Sequence, residues 1–460
     1  MLKIRNKQQL IENGQTELTR KARALALESL EFAINSVNPK SIITSKLSLE
    51  DRTLRVQEYA FNLALYKRVY VVGGGKAAGP MAEALEEILG KHITSGIVNV
   101  PYGCQSKTKI IKLNEASHPL PDQAGVDGTR QILEIAEKAE ADDLVICLIS
   151  GGGSSLMSYP REGISIEDKR KLTVALLRSG ATINEINTVR KHISGFKGGW
   201  LAKKAYPATV LNLILSDVIG DSLDAIASGP TVPDSTTFAD AKQVLEKYGL
   251  YSNSPSSIRK VLSDGEQGVI EETPKAKDKA FSKAYNVIVG NNRTASLALC
   301  ENLKSGGLNT ILLTATLEGE ARCVGAKLAS IANEILSSQN PASKPVAIVA
   351  GGETTVKVTG DGLGGRNQEL VLSAALELKK NADSAVVVAS VGTDGVDGPT
   401  DAAGAIVDQY TCARAAEAGL EPEFFLANND SYNFFAKLGD LVFTGQTGTN
   451  VNDISLIIVL

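Results

Sequence analysis

The sequence predicts an α/β protein built from two α/β domains, and three observations predict it. The chain has 460 residues, too long for one ordinary hydrophobic core. Apolar runs of strand length alternate with stretches of helical periodicity, the pattern of mainly parallel sheets covered on both faces. The alternation is interrupted by a polar stretch, residues 252–283, broken by Pro255 and Pro274, which reads as a linker.

The elements follow in order. Leu27, Leu30, Ile34 and Val37 fall at helical spacing after a similar stripe of Leu18, Ala22 and Leu25, predicting a helix over residues 16–38. A second helical stretch, a strand at 68–72, a Gly-Gly-Gly-Lys turn and a helix at 77–89 come next. Strands are expected near 96–100, 109–113 and 144–149, with a helix at 129–139. Ser165 to Asp168 opens a helix ending near Ser179-Gly180, and Thr182 to Glu185 opens another. The strand Thr209–Leu215 leads into Ser216-Asp217 and a glycine, proline and aspartate-rich passage. Beyond the linker, strands at 286–289, 310–314, 345–349 and 385–390 alternate with helices at 294–303, 321–337 and 366–378. An apolar run at 454–460 reads as a buried last strand. The boundary is therefore expected at 250/251, giving domains of 1–250 and 251–460.

Composition narrows the function. Hydrophobic content of 43% with 22% charged residues is that of an ordinary soluble globular protein. A net charge of −4 leaves no footprint for nucleic acid or an anionic membrane, so an anionic ligand must be held by locally placed charge. Five scattered cysteines argue against a disulfide framework and a zinc ribbon. No apolar stretch reaches about 18 residues and no secretory leader is evident, so a cytoplasmic location is expected.

The chemistry concentrates in glycine turns. Leu144 to Ser155 is a strand run ending in Ser150, Gly151, Gly152, Gly153, Ser154 and Ser155, where backbone N–H groups and hydroxyls suit phosphate oxygens. Gly73, Gly74, Gly75 and Lys76 form a second turn, with the lysine placed for an anion. Gly73-x-Gly75-x-x-Ala78 also matches a loose dinucleotide fingerprint, but the next strand offers Asn99 where a ribose-binding acid is needed. A Walker A loop fails because alanine follows Lys76. Further turns are Gly351-Gly352-Glu353 and Gly364-Gly365-Arg366; Arg366 and Asn367 open a helix suited to gripping a carboxylate or phosphate. Asn187, Arg190 and Lys191 lie on the helix after the phosphate turn, and Arg190, Lys197 and Lys204 would share a face if that helix were unbroken. Asp217 and Asp394 sit past strand ends and suit a magnesium ion shared with phosphates. His118 and His192 read as structural, and three histidines make no metal site.

The motifs GGGKAA, ASHPLPD, SGGGSSL, INTVRKHISGFKGG, LSDVIGD with IASGPT, GGETTV, GGRNQE and GTDGVDGPTDAAG occur in this order. Together they resemble the type-2 glycerate kinases, whose carboxyl-terminal part is the MOFRL domain. The resemblance implies an N-terminal Rossmann-like three-layer domain, a MOFRL region at about 344–455 and an active site in the interdomain cleft. It implies ATP-dependent phosphorylation of D-glycerate at its C2 hydroxyl, with Mg2+. The family's important lysine and arginine map onto Lys76 and Arg366. The alternative activity is an NAD(P)H-dependent hydroxypyruvate reductase. A homodimer is the prior for assembly.

Overall fold

The computed structural model describes residues 2–460. The chain forms two compact units, one of Pro39–Val289 and one combining the chain up to Asn38 with Gly290–Leu460.

The first unit opens with a small antiparallel sheet of β1 (Leu47–Glu50), β2 (Thr53–Val56) and β3 (Tyr59–Asn62). Its main sheet holds β4 (Arg68–Gly74), β5 (Ser95–Pro101), β6 (Ile111–Ala116), β7 (Asp143–Ser150), β8 (Thr209–Leu215) and β9 (Ala284–Gly290). They lie in the order β6-β5-β4-β7-β8-β9, and β4 to β8 run parallel. This is the doubly wound order, in which ligands bind at the carboxyl ends of the strands where the order reverses. Here the reversal lies between β4 and β7, the two strands that feed the Gly73–Lys76 and Ser150–Ser155 turns. Strands β7 and β8 are buried at every position, as two-sided cover requires.

The second unit has a mixed sheet of β10 (Asn309–Leu317), β11 (Val346–Gly352), β12 (Val386–Gly392), β13 (Gly404–Asp408), β14 (Leu441–Val442) and β15 (Asp453–Val459). The order is β10-β11-β15-β12-β13-β14. Only β10 and β11 pair in parallel; every other neighbouring pair is antiparallel. The final apolar run is a central strand, buried throughout, as its composition predicts. The antiparallel pairs depart from the expected parallel sheet; for β12 and β13 the reason is that no crossover helix separates them.

The expected boundary at 250/251 is corrected in two places. The N-terminal helix Glu17–Ser36 belongs to the second unit, burying Ala22, Ala26, Leu27, Leu30 and Ile34 and packing on the helix Asn292–Ser305. Its Arg23 is fully buried and bonds Asp408 at 2.6 Å and Asp440 at 2.9 Å, both on that unit. The stretch 252–283 is not a linker. Pro255 caps a helix, Ser256–Glu266, whose Ile258, Val261 and Leu262 join Leu172, Leu176 and Phe238 in one core cluster. The prolines mark a helix start and a loop inside a domain, which composition alone does not separate from a linker.

Candidate active site

The two glycine turns of the first unit are built against each other. The Lys76 N–H donates to Gly151 O at 2.8 Å, and the Ala77 N–H donates to the buried Ser150 Oγ at 3.0 Å. Ser150 is thus a tie between the turns. Lys76 itself is exposed between buried Gly75 and Ala77, and makes no ion pair among the described residues. At Gly152, in the left-handed region with φ +79°, a Cβ would stand 2.9 Å from the His118 ring and 3.1 Å from Lys76 Cγ. At Gly151 a Cβ would stand 2.0 Å from Asp217 Oδ2. Backbone, the Lys76 side-chain stem, imidazole and carboxylate therefore converge on this turn.

The sequence reads His118 as structural, yet the fold sets it beside Lys76. Its place in the ASHPLPD motif is the one signal in the sequence that could have marked it. Partial desolvation first, and the Lys76 ammonium second, hold the imidazole below its ordinary pKa. Both effects favour the neutral imidazole, which can accept a proton.

The other predicted residues divide by what holds them. Ser154 Oγ lies 3.0 Å from Ser228 Oγ, which donates to Asn187 Oδ1 at 3.1 Å. Ser155 Oγ donates to Gly152 O at 3.1 Å. Lys191 is buried and paired with Asp224 and Asp234, each at 3.3 Å, so its charge is already used. Arg190 is half-buried, and burial lowers its pKa. The expected shared face of Arg190, Lys197 and Lys204 does not form, because the helix Ile183–His192 ends before a separate helix, Trp200–Ala205.

The second unit holds its arginine differently. Arg366 Nε and Nη2 grip Asp453 at 2.5 and 2.9 Å, and Nη1 lies 3.0 Å from Glu353. These carboxylates hold the guanidinium above its already high pKa against the opposing effect of burial. The N-terminus of the helix Arg366–Glu377 is occupied as well. Buried Asp397 accepts from the N–H groups of Asn367 at 3.0 Å and Gln368 at 2.9 Å. A Cβ at Gly365 would stand 2.2 Å from that carboxyl carbon, so the glycine admits Asp397 to the helix end. Asp394 is half-buried, and its Oδ1 accepts from the Val396 N–H at 3.1 Å within its own turn.

A family profile described as a domain of unknown function, DUF4147, matches residues 25–263, and the MOFRL family matches residues 346–453. The chain is 43% identical to the glycerate 2-kinase of Pyrococcus horikoshii, covering 95% of this chain and 97% of that protein. The chain belongs to the glycerate kinase family. The solved structure of glycerate kinase from Thermotoga maritima superposes with a TM-score of 0.85 at 42% identity, covering 96% of this chain and 100% of that one. A protein of Agrobacterium vitis named as a putative hydroxypyruvate reductase is 40% identical over 98% of each chain.

For a member of the glycerate kinase family a divalent cation is the implied companion of the nucleotide. Among the described residues, the one group of three or more close acidic side chains is Glu140, Asp142 and Asp143. Arg68 occupies it, bonding Asp143 and Glu140 at 2.7 Å each, so it does not fit the role. Asp217 fits better: it is one carboxylate beside a glycine turn, and Mg2+ needs few carboxylates when phosphates and water complete its shell.

Proposed function

We propose that this chain transfers the γ-phosphoryl group of ATP to the C2 hydroxyl of D-glycerate, giving 2-phospho-D-glycerate and ADP. Membership of the glycerate kinase family makes it a phosphotransferase. Phosphoryl transfer asks the protein to position two reactants and neutralise charge, with little covalent chemistry of its own. The observation that carries the reading is Lys76, an exposed ammonium without an ion pair among the described residues, at the reversal point of a doubly wound sheet.

In this reading Lys76 neutralises charge on the transferring group. Gly74 and Gly75 shape its turn, and Gly151, Gly152 and Gly153 receive nucleotide phosphates, with Ser154, Ser155, Asn187 and Arg190 around them. Ser150 supports the loop through its bond from the Ala77 N–H, and Lys191, paired with Asp224 and Asp234, adds positive charge on the helix that follows. Asp217 would hold Mg2+, which supplies charge neutralisation at phosphate oxygens when bound. Arg366 receives the substrate carboxylate by exchanging Glu353, the more exposed of its two partners at 43% against 7% for Asp453. Asp394, partly open past β12, is assigned to the substrate hydroxyl.

The rival, hydroxypyruvate reduction by NAD(P)H, needs an acid on β5 to hold the ribose. Asn99 stands there instead, fully buried, with its amide donating to Leu156 O at 2.8 Å and Thr129 Oγ1 at 3.1 Å. Among the described residues, no helix is long and apolar enough to cross a membrane. A cytoplasmic homodimer is the proposed setting. The deciding experiment incubates the protein with ATP, Mg2+ and D-glycerate and identifies the product by phosphorus NMR. A 2-phosphoglycerate signal is expected. Absence of ADP formation, with nicotinamide oxidised by hydroxypyruvate, overturns the reading.

A further inference from the structure

Behind the Ser150–Ser155 turn lies a group of cations that lacks counter-charge. Lys169, on the helix Ile166–Arg178, is 3% exposed, and its Nζ has no hydrogen-bond partner. Lys197 is 1% exposed, and its Nζ donates to Ser154 O at 2.7 Å and approaches Met157 O at 3.5 Å. Ser158, the next residue, is 1% exposed, and its hydroxyl is also unpartnered. Arg190, on the helix Ile183–His192, is half-buried and close enough to act electrostatically on both lysines.

The neighbouring acids are used elsewhere. Asp224 and Asp234 pair with Lys191, and Glu272 lies 3.0 Å from His192 Nε2. The charged groups acting on Lys169 and Lys197 are cations: Arg190 on both, and Lys169 on Lys197. Unpaired buried charge is costly, so such ammonium groups are pushed toward the neutral form until an anion supplies the partner.

We propose that Lys169, Arg190 and Lys197 form a buried subsite for one phosphate-type oxyanion, adjoining the Ser154 end of the glycine turn. Its ligand is either a phosphate group of the donor nucleotide or free inorganic phosphate. The nucleotide source rests on the kinase reading above; the subsite itself does not. Burial first, and Arg190 second, bring Lys169 down to about 7, and Lys197 lies well below its usual value through burial and both neighbouring cations. An anion favours the charged ammonium, so binding must draw protons from solution above that pH.

The test uses titration calorimetry on the full chain, with inorganic phosphate, ADP and adenosine as separate probes in buffers of different ionisation enthalpy. Phosphate and ADP should bind with proton uptake that is larger at about pH 8 than at about pH 6. Lys169→Met should weaken both by about tenfold or more, the scale of one charge-assisted hydrogen bond, while Lys169→Arg retains binding and loses the proton uptake. Adenosine should be indifferent to either change. If ADP displaces bound phosphate, the nucleotide is the source; if both bind together, the ligand is free phosphate. Unchanged phosphate and ADP affinity in Lys169→Met overturns the subsite even if the enzyme is a kinase. So does a high-resolution structure with phosphate present that shows only water among the three cations. Loss of phosphate binding in a protein without kinase activity would uphold the subsite and defeat the functional reading instead.

Discussion

The Lys76 turn and the Arg366 turn look alike on paper, each a glycine run followed by a cation, but they are built on opposite principles. Lys76 projects from two turns that bond each other through backbone and Ser150, and the ammonium takes no part in that bonding. Arg366 is itself structural, forked onto Asp453 and touching Glu353, beside a helix end capped by Asp397. The glycines follow suit. Gly151 and Gly152 make room for the side chains of Asp217, His118 and Lys76, whereas Gly365 makes room for a capping carboxylate. A cation in a glycine turn that other groups hold is open to a ligand as it stands, whereas one tied to carboxylates must first exchange a partner.

This contrast has measurable consequences. Arg366→Ala should have the largest effect, because it removes the proposed substrate contact and strands the buried Asp453. We expect kcat/KM to fall at least about a hundredfold, with unfolding in urea showing a loss of about 3 kcal/mol. Arg366→Lys should recover little, since an ammonium cannot reproduce the fork. Unchanged stability in the alanine variant would refute the structural half of the comparison.

Lys76→Ala should match the catalytic loss, about a hundredfold or more, yet leave stability within about 0.5 kcal/mol. A large drop in Tm would place Lys76 in the same class as Arg366. Gly151→Ala comes next. The added methyl collides with Asp217, so the carboxylate must move, and we expect a loss of roughly tenfold in kcat/KM with most of the fold intact. Wild-type activity there would detach Asp217 from the site.

The smallest effect concerns Asp397. Burial raises its pKa to about 6, against the lowering by the N–H groups of Asn367 and Gln368. A carboxyl with a raised native pKa binds more protons folded than unfolded between its two pKa values. Its contribution therefore makes stability fall as pH rises from about 4 to about 6, with no further change above. Asp397→Asn should abolish that slope and cost about 1–3 kcal/mol at neutral pH, because an amide cannot accept from every donor at the helix end. An unaltered slope in the pH dependence of urea unfolding would contradict the assignment.

Local pattern by itself determined a good deal. The 3.6-residue stripe before Asn38, the capping sequences at Ser165 and Thr182 and the apolar run Thr209–Leu215 act over a few residues, and each produces the element expected. The glycine turns and their ordered motifs were equally legible, and so were the family and the residues that line the turns. Tertiary structure decided the rest, because it depends on partners far apart in sequence. It set the helix Glu17–Ser36 on the second unit through Arg23, Asp408 and Asp440. It folded 252–283 into a core, and it mixed strand directions around β15. It also decided which cations are free, tying Arg366 and Lys191 to acids, burying Lys169 and Lys197 without any, and leaving Lys76 exposed. Helix and strand propensity are written in neighbouring residues, whereas the state of a charge is set by whatever the whole fold brings within a few ångströms of it.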